Sequence, residues 1–302
     1  MGGELTKELV AERFAAAQLV KSNPVREVRA DGEYFYKLDR RRGHGFAREM
    51  AAARLLEERH IPVVGHLWCG AVPEGEMLVT RALAEAPTVR EYIADRVPDE
   101  AFRRRFAKFI GDFLASDLDH DDLHIGNILY SRSEERFVLV DVRAVRSRRR
   151  RKFPYEICRA PMELRKHLRR DELRVMLEIA GVPDPERFYW RSLRIEAGRL
   201  NRDWPKRRAQ ILGGYPKFTR EAGALLINAD AAPADLERLV WHPGGESEFC
   251  SAFYWELAAV PHPRVLAFDR EKLLIGTAPE LFPTPLPDAE IAERRRILED
   301  AL

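Results

Sequence analysis

Four residues between His120 and Asp141 have types and spacing that suit phosphoryl transfer. Moving a phosphoryl group from a nucleotide to a hydroxyl needs a carboxylate beside the attacking oxygen and hard oxygen ligands for magnesium. Asp122 stands two residues after His120, Asn127 follows it, and a strand–turn–strand pattern then runs up to Asp141. In this reading Asp122 is the general base, and Asn127 and Asp141 hold Mg2+. His120 suits a structural role, bonded to backbone near Asp141, and His124 suits substrate contact or packing. Two other readings use the same residues. Asp117, Asp119, Asp121 and Asp122 read equally as a solvated loop. His120, Asp122 and His124 read as a zinc or iron site, which leaves Asn127 and Asp141 without a role.

The same chemistry needs a cation on a strand to hold the nucleotide phosphates, and a helix acid to hold that cation. Lys37 lies in the strand-like run EYFYKL, on the side that carries Phe35. Glu49 comes near the start of the next helix and is the expected partner. These two residues are the expected ATP-binding pair. No G-x-G-x-x-G precedes Lys37, so Lys21, Ser22 and Asn23 are the expected phosphate-covering loop.

The elements that must position these residues are legible along the chain. Residues 4–20 lean helical. VREVRA and EYFYKL flank Asp31-Gly32, a strong hairpin signal. FAREMAAARLLEERH reads as an amphipathic helix with Ala51, Leu55 and Leu56 on its apolar side. Two further strands, GHLWCGAV and EMLVTRAL, follow. Thr88 and Glu91 form a capping box. From Asp99 to Leu118, Phe102, Phe106, Phe109, Ile110, Phe113 and Leu114 make one helical face. Helices are expected at 155–180, ending at Gly181, and at 184–203. From about Gly213 the texture changes to Pro- and Gly-rich segments. There a helix bearing Glu256 and the strands HPRVLAF and KLLIGTA echo residues 45–80, and a small packing extension is the preferred reading.

Composition narrows the classes. With 302 residues, 45% of them hydrophobic, the chain is globular. Charged residues reach 33%, yet the net charge is only +2, so no partner follows from global charge. Cys69, Cys158 and Cys250 stand far apart, which fits reduced thiols in a cytosolic protein rather than disulfides or zinc. No signal core or membrane-spanning run occurs, and Gly2 is not set in a convincing acylation signal. Membrane association is therefore expected to be peripheral. Arg143, Arg146, Arg148, Arg149, Arg150, Arg151 and Lys152 form a run without an acid just past Asp141. Arg143, Arg146, Arg148 and Arg149 are the candidates to hold a polyanionic acceptor or an anionic membrane surface, with nucleic acid ranked below.

The stretch from Lys21 to Val64 resembles the small lobe of the bacterial lipopolysaccharide kinases, which phosphorylate Kdo or heptose in the inner core. HDDLHIGNIL and VLVDVRAVRSRRRRK resemble their catalytic loop and their metal-binding Asp followed by basic residues. The resemblance covers roughly residues 20–205. It implies an α+β, two-lobed protein-kinase-like fold with a β-rich small lobe, a mostly helical large lobe and a C-terminal extension. The expected division is a helical segment at 1–20, the small lobe at 21–84, the large lobe at 85–212 and an extension at 213–302. By motif the resemblance carries Lys37, Glu49, Asp122, Asn127 and Asp141, and no acceptor residue. H-x-D-L-H-x-G-N-I-L is shared with aminoglycoside and choline phosphotransferases, so it fixes the superfamily better than the acceptor.

The leading expectation is an ATP- and Mg2+-dependent kinase acting on a sugar or glycolipid hydroxyl at the inner face of the membrane. A non-catalytic kinase-like scaffold and a small-molecule kinase are the alternatives. A protein Ser/Thr kinase is disfavoured, because Arg159-Ala160-Pro161 is a weak match to the Ala-Pro-Glu segment of that class.

Overall fold

Chain order and pairing follow from turn chemistry in the first third of the protein. The structure is a computed structural model that describes residues 5–41, 45–94, 96–148, 155–257, 263–281 and 288–299. The elements are α1 (Lys7–Ala16), β1 (Gln18–Ser22), β2 (Arg26–Ala30), β3 (Tyr34–Asp39), α2 (Phe46–Glu58), β4 (His66–Val72) and β5 (Gly75–Arg81). The strands form one antiparallel sheet in the order β1-β2-β3-β5-β4. The β2–β3 turn forms at Asp31-Gly32 as expected. Gly32 takes φ +88, and Asp31 Oδ1 accepts from the amides of Glu33 at 3.0 Å and Tyr34 at 2.8 Å.

Two expectations fail in this region. The helical segment placed at 1–20 stops at Ala16; Ala17 turns extended and β1 begins at Gln18. All five residues of β1 are exposed, so the strand carries no buried alternation to read. In α2 the buried residues are Phe46, Glu49, Ala52, Ala53 and Leu56, not Ala51 and Leu55. The inward stripe at i, i+3, i+4 and i+7 runs through the carboxylate of Glu49, which hydrophobicity alone assigns to solvent.

Next come α3 (Val89–Tyr92), α4 (Glu100–Ala115), β6 (Leu118–His120), β7 (Ile128–Ser131), β8 (Arg136–Leu139), β9 (Val145–Ser147), α5 (Tyr155–Glu163) and α6 (Arg170–Ile179). The Thr88–Glu91 capping box is present on both sides. Phe102, Phe106, Phe109, Ile110 and Phe113 of α4 are buried, and Phe102 and Phe106 meet the ring of Phe137 of β8 edge-to-face at 5.0 Å. β6 pairs with β9 and β7 with β8, both antiparallel. The candidate catalytic loop is thus strung between two small two-stranded sheets. Gly181, at φ +75, closes the helical stretch as expected.

The remainder comprises α7 (Pro185–Leu212), β10 (Thr219–Ala222), β11 (Leu225–Asn228), α8 (Pro233–Leu236), β12 (Val240–Pro243), α9 (Glu246–Leu257), β13 (Pro263–Asp269), β14 (Leu274–Leu281) and α10 (Asp288–Glu299). Its strands form a second antiparallel sheet in the order β10-β11-β13-β14-β12. α7 runs on to Leu212 through Pro205, past the expected stop at 203. Losing one helical hydrogen bond at Pro205 is offset because Ile211, fully buried, packs with Leu226, Phe249, Phe253, Val265 and Phe268. Residues 1–163 and 175–183 make one compact unit, and 164–174 with 184–302 the other. The parting therefore falls in the helical stretch and not at 212/213.

Candidate active site

The cation–acid pair is formed. Lys37 sits mid-strand in β3, between Val28 of β2 and Leu78 of β5. Its Nζ donates to Glu49 Oε1 at 2.9 Å, with the Glu49 side chain 2% exposed. Burial by itself would push the carboxyl up. The neighbouring His66 and Lys37 overcome that and hold it down at about 2, so Glu49 is a carboxylate at any working pH. α2 can place Glu49 in its first turn because Gly45, at φ +109, supplies the left-handed turn that opens the helix.

The loop after β6 is fixed by its own polar atoms. His120 is buried, and its Nδ1 accepts from the amide of Asp122 at 3.1 Å. Burial lowers its pKa to about 4, so the ring is neutral and free to accept. Its structural role is as expected, although the backbone it holds is that of Asp122. The carboxylate of Asp122 is left exposed. Asn127 is buried, and its Nδ2 donates to the Asp122 carbonyl at 3.1 Å. That bond fixes the amide, leaving Asn127 Oδ1 as the group's acceptor oxygen. The Asn127 carbonyl accepts from the amide of Val140 at 3.0 Å, which draws the chain before Asp141 alongside Asn127. Asp141 adopts the left-handed conformation, φ 54 and ψ 52, with an exposed side chain. Such a backbone for an aspartate is uncommon outside turns and functional sites.

An amide oxygen and a carboxylate on neighbouring segments fit a hard cation such as Mg2+, with nucleotide phosphates completing the shell. Among the described residues, no three His, Cys, Asp or Glu side chains converge as a metal site. The zinc or iron reading of His120, Asp122 and His124 therefore has no geometry behind it. His124 instead accepts from the amide of Gly126 at 3.0 Å, and burial lowers its pKa.

Two residues here went unassigned in the sequence. Glu163, at the end of α5, accepts from the amide of Ile125 at 3.3 Å, and Arg90 and Arg159 stand at 3.5 and 3.4 Å from it. It braces the turn that carries Asn127. The signal was the segment Arg159-Ala160-Pro161, set aside as weak, which continues to Glu163. His66 is the other: its Nε2 lies 3.5 Å from Glu49 Oε1. Nothing in GHLWCGAV marks it.

The basic run is largely spoken for. Arg148 donates to Asp119 at 3.1 Å and to the carbonyls of Leu114 and Leu118 at 3.2 and 2.9 Å. It braces β6 rather than facing an anion, which corrects its assignment. Arg146 pairs with Asp121 at 2.6 Å on the surface. Two of the acids read as a solvated loop, Asp119 and Asp121, are thus the partners of these arginines. Arg143 is exposed, with its aliphatic stem against Gly45. Arg149, Arg150, Arg151 and Lys152 lie outside the described residues.

Of the expected phosphate-covering loop, Asn23 is engaged within its own turn. Asn23 Oδ1 accepts from the amides of Val25 at 2.9 Å and Arg26 at 2.8 Å, while the Asn23 amide donates to the Arg26 carbonyl at 2.8 Å. The turn uses these donors internally and does not offer them to a phosphate.

The lipopolysaccharide kinase (Kdo/WaaP) family model matches residues 30–156. Over that segment the chain is similar to the kinases of the Kdo/WaaP family. The segment contains Lys37, Glu49, Asp122, Asn127 and Asp141. No curated protein matches the chain. Among solved structures, the Cydia pomonella Granulovirus kinase, PK-1, is similar at 13% identity with a TM-score of 0.36. That similarity covers 45% of this chain and 56% of the viral kinase, so the chain spans little over half the length of that protein. Among the described residues no helix is long and apolar enough to cross a membrane.

Proposed function

We propose that the protein is an ATP-dependent kinase that phosphorylates a hydroxyl of a sugar, in the Kdo or heptose region of the lipopolysaccharide inner core. The observation that carries this is the Lys37–Glu49 pair at 2.9 Å, set in a segment that matches the Kdo/WaaP family. Lys37 binds the nucleotide phosphates, and the buried carboxylate of Glu49 keeps its ammonium aimed. Asn127 and Asp141 hold Mg2+, which when bound neutralises charge on the phosphates. Asp122, exposed at the end of a rigid loop, orients the acceptor hydroxyl and takes its proton. Arg143 and Arg146 border this position and suit an anionic sugar or glycolipid acceptor. The small lobe spans 21–84 and the large lobe begins at 85. The enzyme works in the cytoplasm, against the inner face of the membrane.

Incubation with labelled ATP and Kdo, heptose, lipid A precursors and aminoglycosides tests this reading. Transfer to Kdo or heptose acceptors is expected, with Asp122→Asn lowering the rate by ~10²–10⁴-fold while its thermal unfolding matches wild type. Full activity in that variant removes Asp122 from its role. Transfer to aminoglycosides alone moves the protein to the small-molecule kinases.

One observation favours a second reading, a kinase-like binding protein without catalysis. The β1–β2 turn uses the amides of Asn23, Val25 and Arg26 internally, which takes them away from any phosphate. Thermal shift with Mg-ATP separates the two: a scaffold gains no stability from the nucleotide, and Lys37→Ala then changes nothing in that response.

A further inference from the structure

Arg187, Arg191 and Arg194 stand on one face of α7, spaced i, i+4 and i+7, and all are exposed. Arg187 lies in the first turn, where the helix dipole is already positive and acids are the usual stabilisers. A row of like charges there weakens the helix, so helix formation does not account for it. Between α7 and α10 this row lines a cavity of about 400 Å3, together with Trp190 and Glu293. Glu293 is the acid among these lining residues, and it is already engaged. Arg296 donates to both of its carboxylate oxygens, at 2.8 and 2.7 Å.

The walls of the cavity are held in place by other bonds. Trp190 Nε1 donates to Glu186 Oε1 at 2.6 Å, and the Arg170 guanidinium lies over the indole at 4.9 Å. On the buried side of α7 the Tyr189 hydroxyl donates to Glu290 Oε1 at 2.7 Å, and Arg294 of α10 donates to the same oxygen at 2.7 Å. Tyr189, Glu290 and Arg294 are all buried and tie α7 to α10. Charge and shape then select the ligand. One guanidinium fork fills a carboxylate, whereas a phosphate monoester brings about two negative charges and three acceptor oxygens, enough for several forks at once. The volume is in the range of small-molecule sites, more than a bare phosphate needs. The indole offers an apolar surface to the organic part of an ester.

We propose that this cavity is a binding site for a phosphate monoester, clamped by the guanidinium groups of Arg187 and Arg194, with Arg191 between them and Trp190 against the organic group. Lys37, Glu49, Asp122, Asn127 and Asp141 belong to the other compact unit, so the inference does not rest on the kinase reading. A soluble sugar phosphate and a phosphorylated lipid headgroup present the same group to these arginines, and the two sources are separated by experiment.

Calorimetry on the full chain with glucose 6-phosphate tests the soluble source. Co-sedimentation with phosphatidylcholine vesicles, with and without phosphatidic acid, tests the lipid source. Binding is expected in at least one arm, and the double variant Arg187→Gln, Arg194→Gln should weaken it by about tenfold or more. Arg194→Lys keeps the charge and loses the fork, so its affinity should fall between the two; it also keeps the comparison open where the double variant does not fold. The double variant Arg202→Gln, Arg207→Gln removes the same charge from α7 outside the cavity lining and should bind within about twofold of wild type. An equal loss in that control reduces the effect to general charge attraction and overturns the proposal. So does wild type that binds neither glucose 6-phosphate nor phosphatidic acid vesicles, or a cavity double variant that binds like wild type. Lys37→Ala should bind either probe as wild type does. Loss of binding there assigns the phosphate to the kinase site, which overturns this proposal and leaves the kinase reading standing.

Discussion

The two five-stranded sheets contain the same parts in nearly the same chain order. Each has three strands, a helix, then two more strands, with the short helix α8 added between the second and third strands of the second sheet. In the first sheet the third strand, β3, is central, bonded to β2 and β5. In the second the third strand, β12, is the outer one, bonded only to β14. The last two strands also exchange places, so the helices of the two sheets meet different strands. α2 brings Glu49 to a lysine on a central strand, whereas α9 brings the rings of Phe249 and Phe253 onto β13 and leaves β12 at the rim. The rim strand exposes Val240 (46%) and Trp241 (40%). A strand–helix–strand order does not by itself build a phosphate-binding pair; the cation must sit on the strand that the helix covers. The sequence echo between 45–80 and 244–280 is therefore an echo of element types. The side chain of Glu256, the counterpart suggested for Glu49, lies outside the described residues.

The comparison is sharpest at the cation. Lys37→Ala should lower phosphoryl transfer by ~10²–10³-fold, the scale for removing one aimed charge from a reacting phosphate. Substitutions on β12 should leave transfer unchanged, and kinetic assays on both read the contrast directly. The second effect is on stability. Phe249 is fully buried and stacks on Phe268 at 5.2 Å. Phe249→Ala should cost ~3–5 kcal/mol in denaturant unfolding, with Mg-ATP affinity within about twofold of wild type. Loss of nucleotide binding in that variant would break the separation of roles between the sheets.

The third effect is acid sensitivity seated in the first unit. His120 lies at about 4 against an ordinary 6.5, chiefly through burial. Between those values the unfolded chain holds more protons than the native one. Stability is thus full above 6.5 and falls on acidification toward 4, by up to ~1.4 kcal/mol per pH unit. His120→Asn keeps an acceptor for the Asp122 amide and should flatten the slope of denaturant midpoint against pH. Smallest is Trp241→Ala on the exposed rim strand, which should move unfolding by less than ~0.5 kcal/mol. A larger change would show that the rim strand bears more of the second sheet than its exposure implies.

What could be read from the sequence follows from what encodes it. Asp122, Asn127 and Asp141 were legible because a short loop between two strand pairs fixes their spacing locally. Lys37 and Glu49 were legible as a pair because a strand followed by a helix has few ways to bring them together. β1 was missed because its residues are exposed on both faces and so show no alternation. The inward face of α2 was read one residue off because a buried carboxylate mimics a surface one until its partners are known. Arg148 looked free because its partners, Asp119 and two carbonyls of the preceding helix and strand, depend on the β6–β9 pairing. His66 carries no local signal at all. Its place beside Glu49 depends on where α2 lies, which is a tertiary fact.

The continuation of α7 to Leu212 bears on how the polypeptide can be divided for study. A fragment that stops after 212, where residue composition changes, would keep Ile211 without the phenylalanines that enclose it. The carbonyls of Ile211 and Leu212, which accept from Thr219 and Arg270, would be left open too. Such a fragment invites aggregation at a greasy helix end. α7 and the second sheet are one inheritance, to be expressed or deleted together.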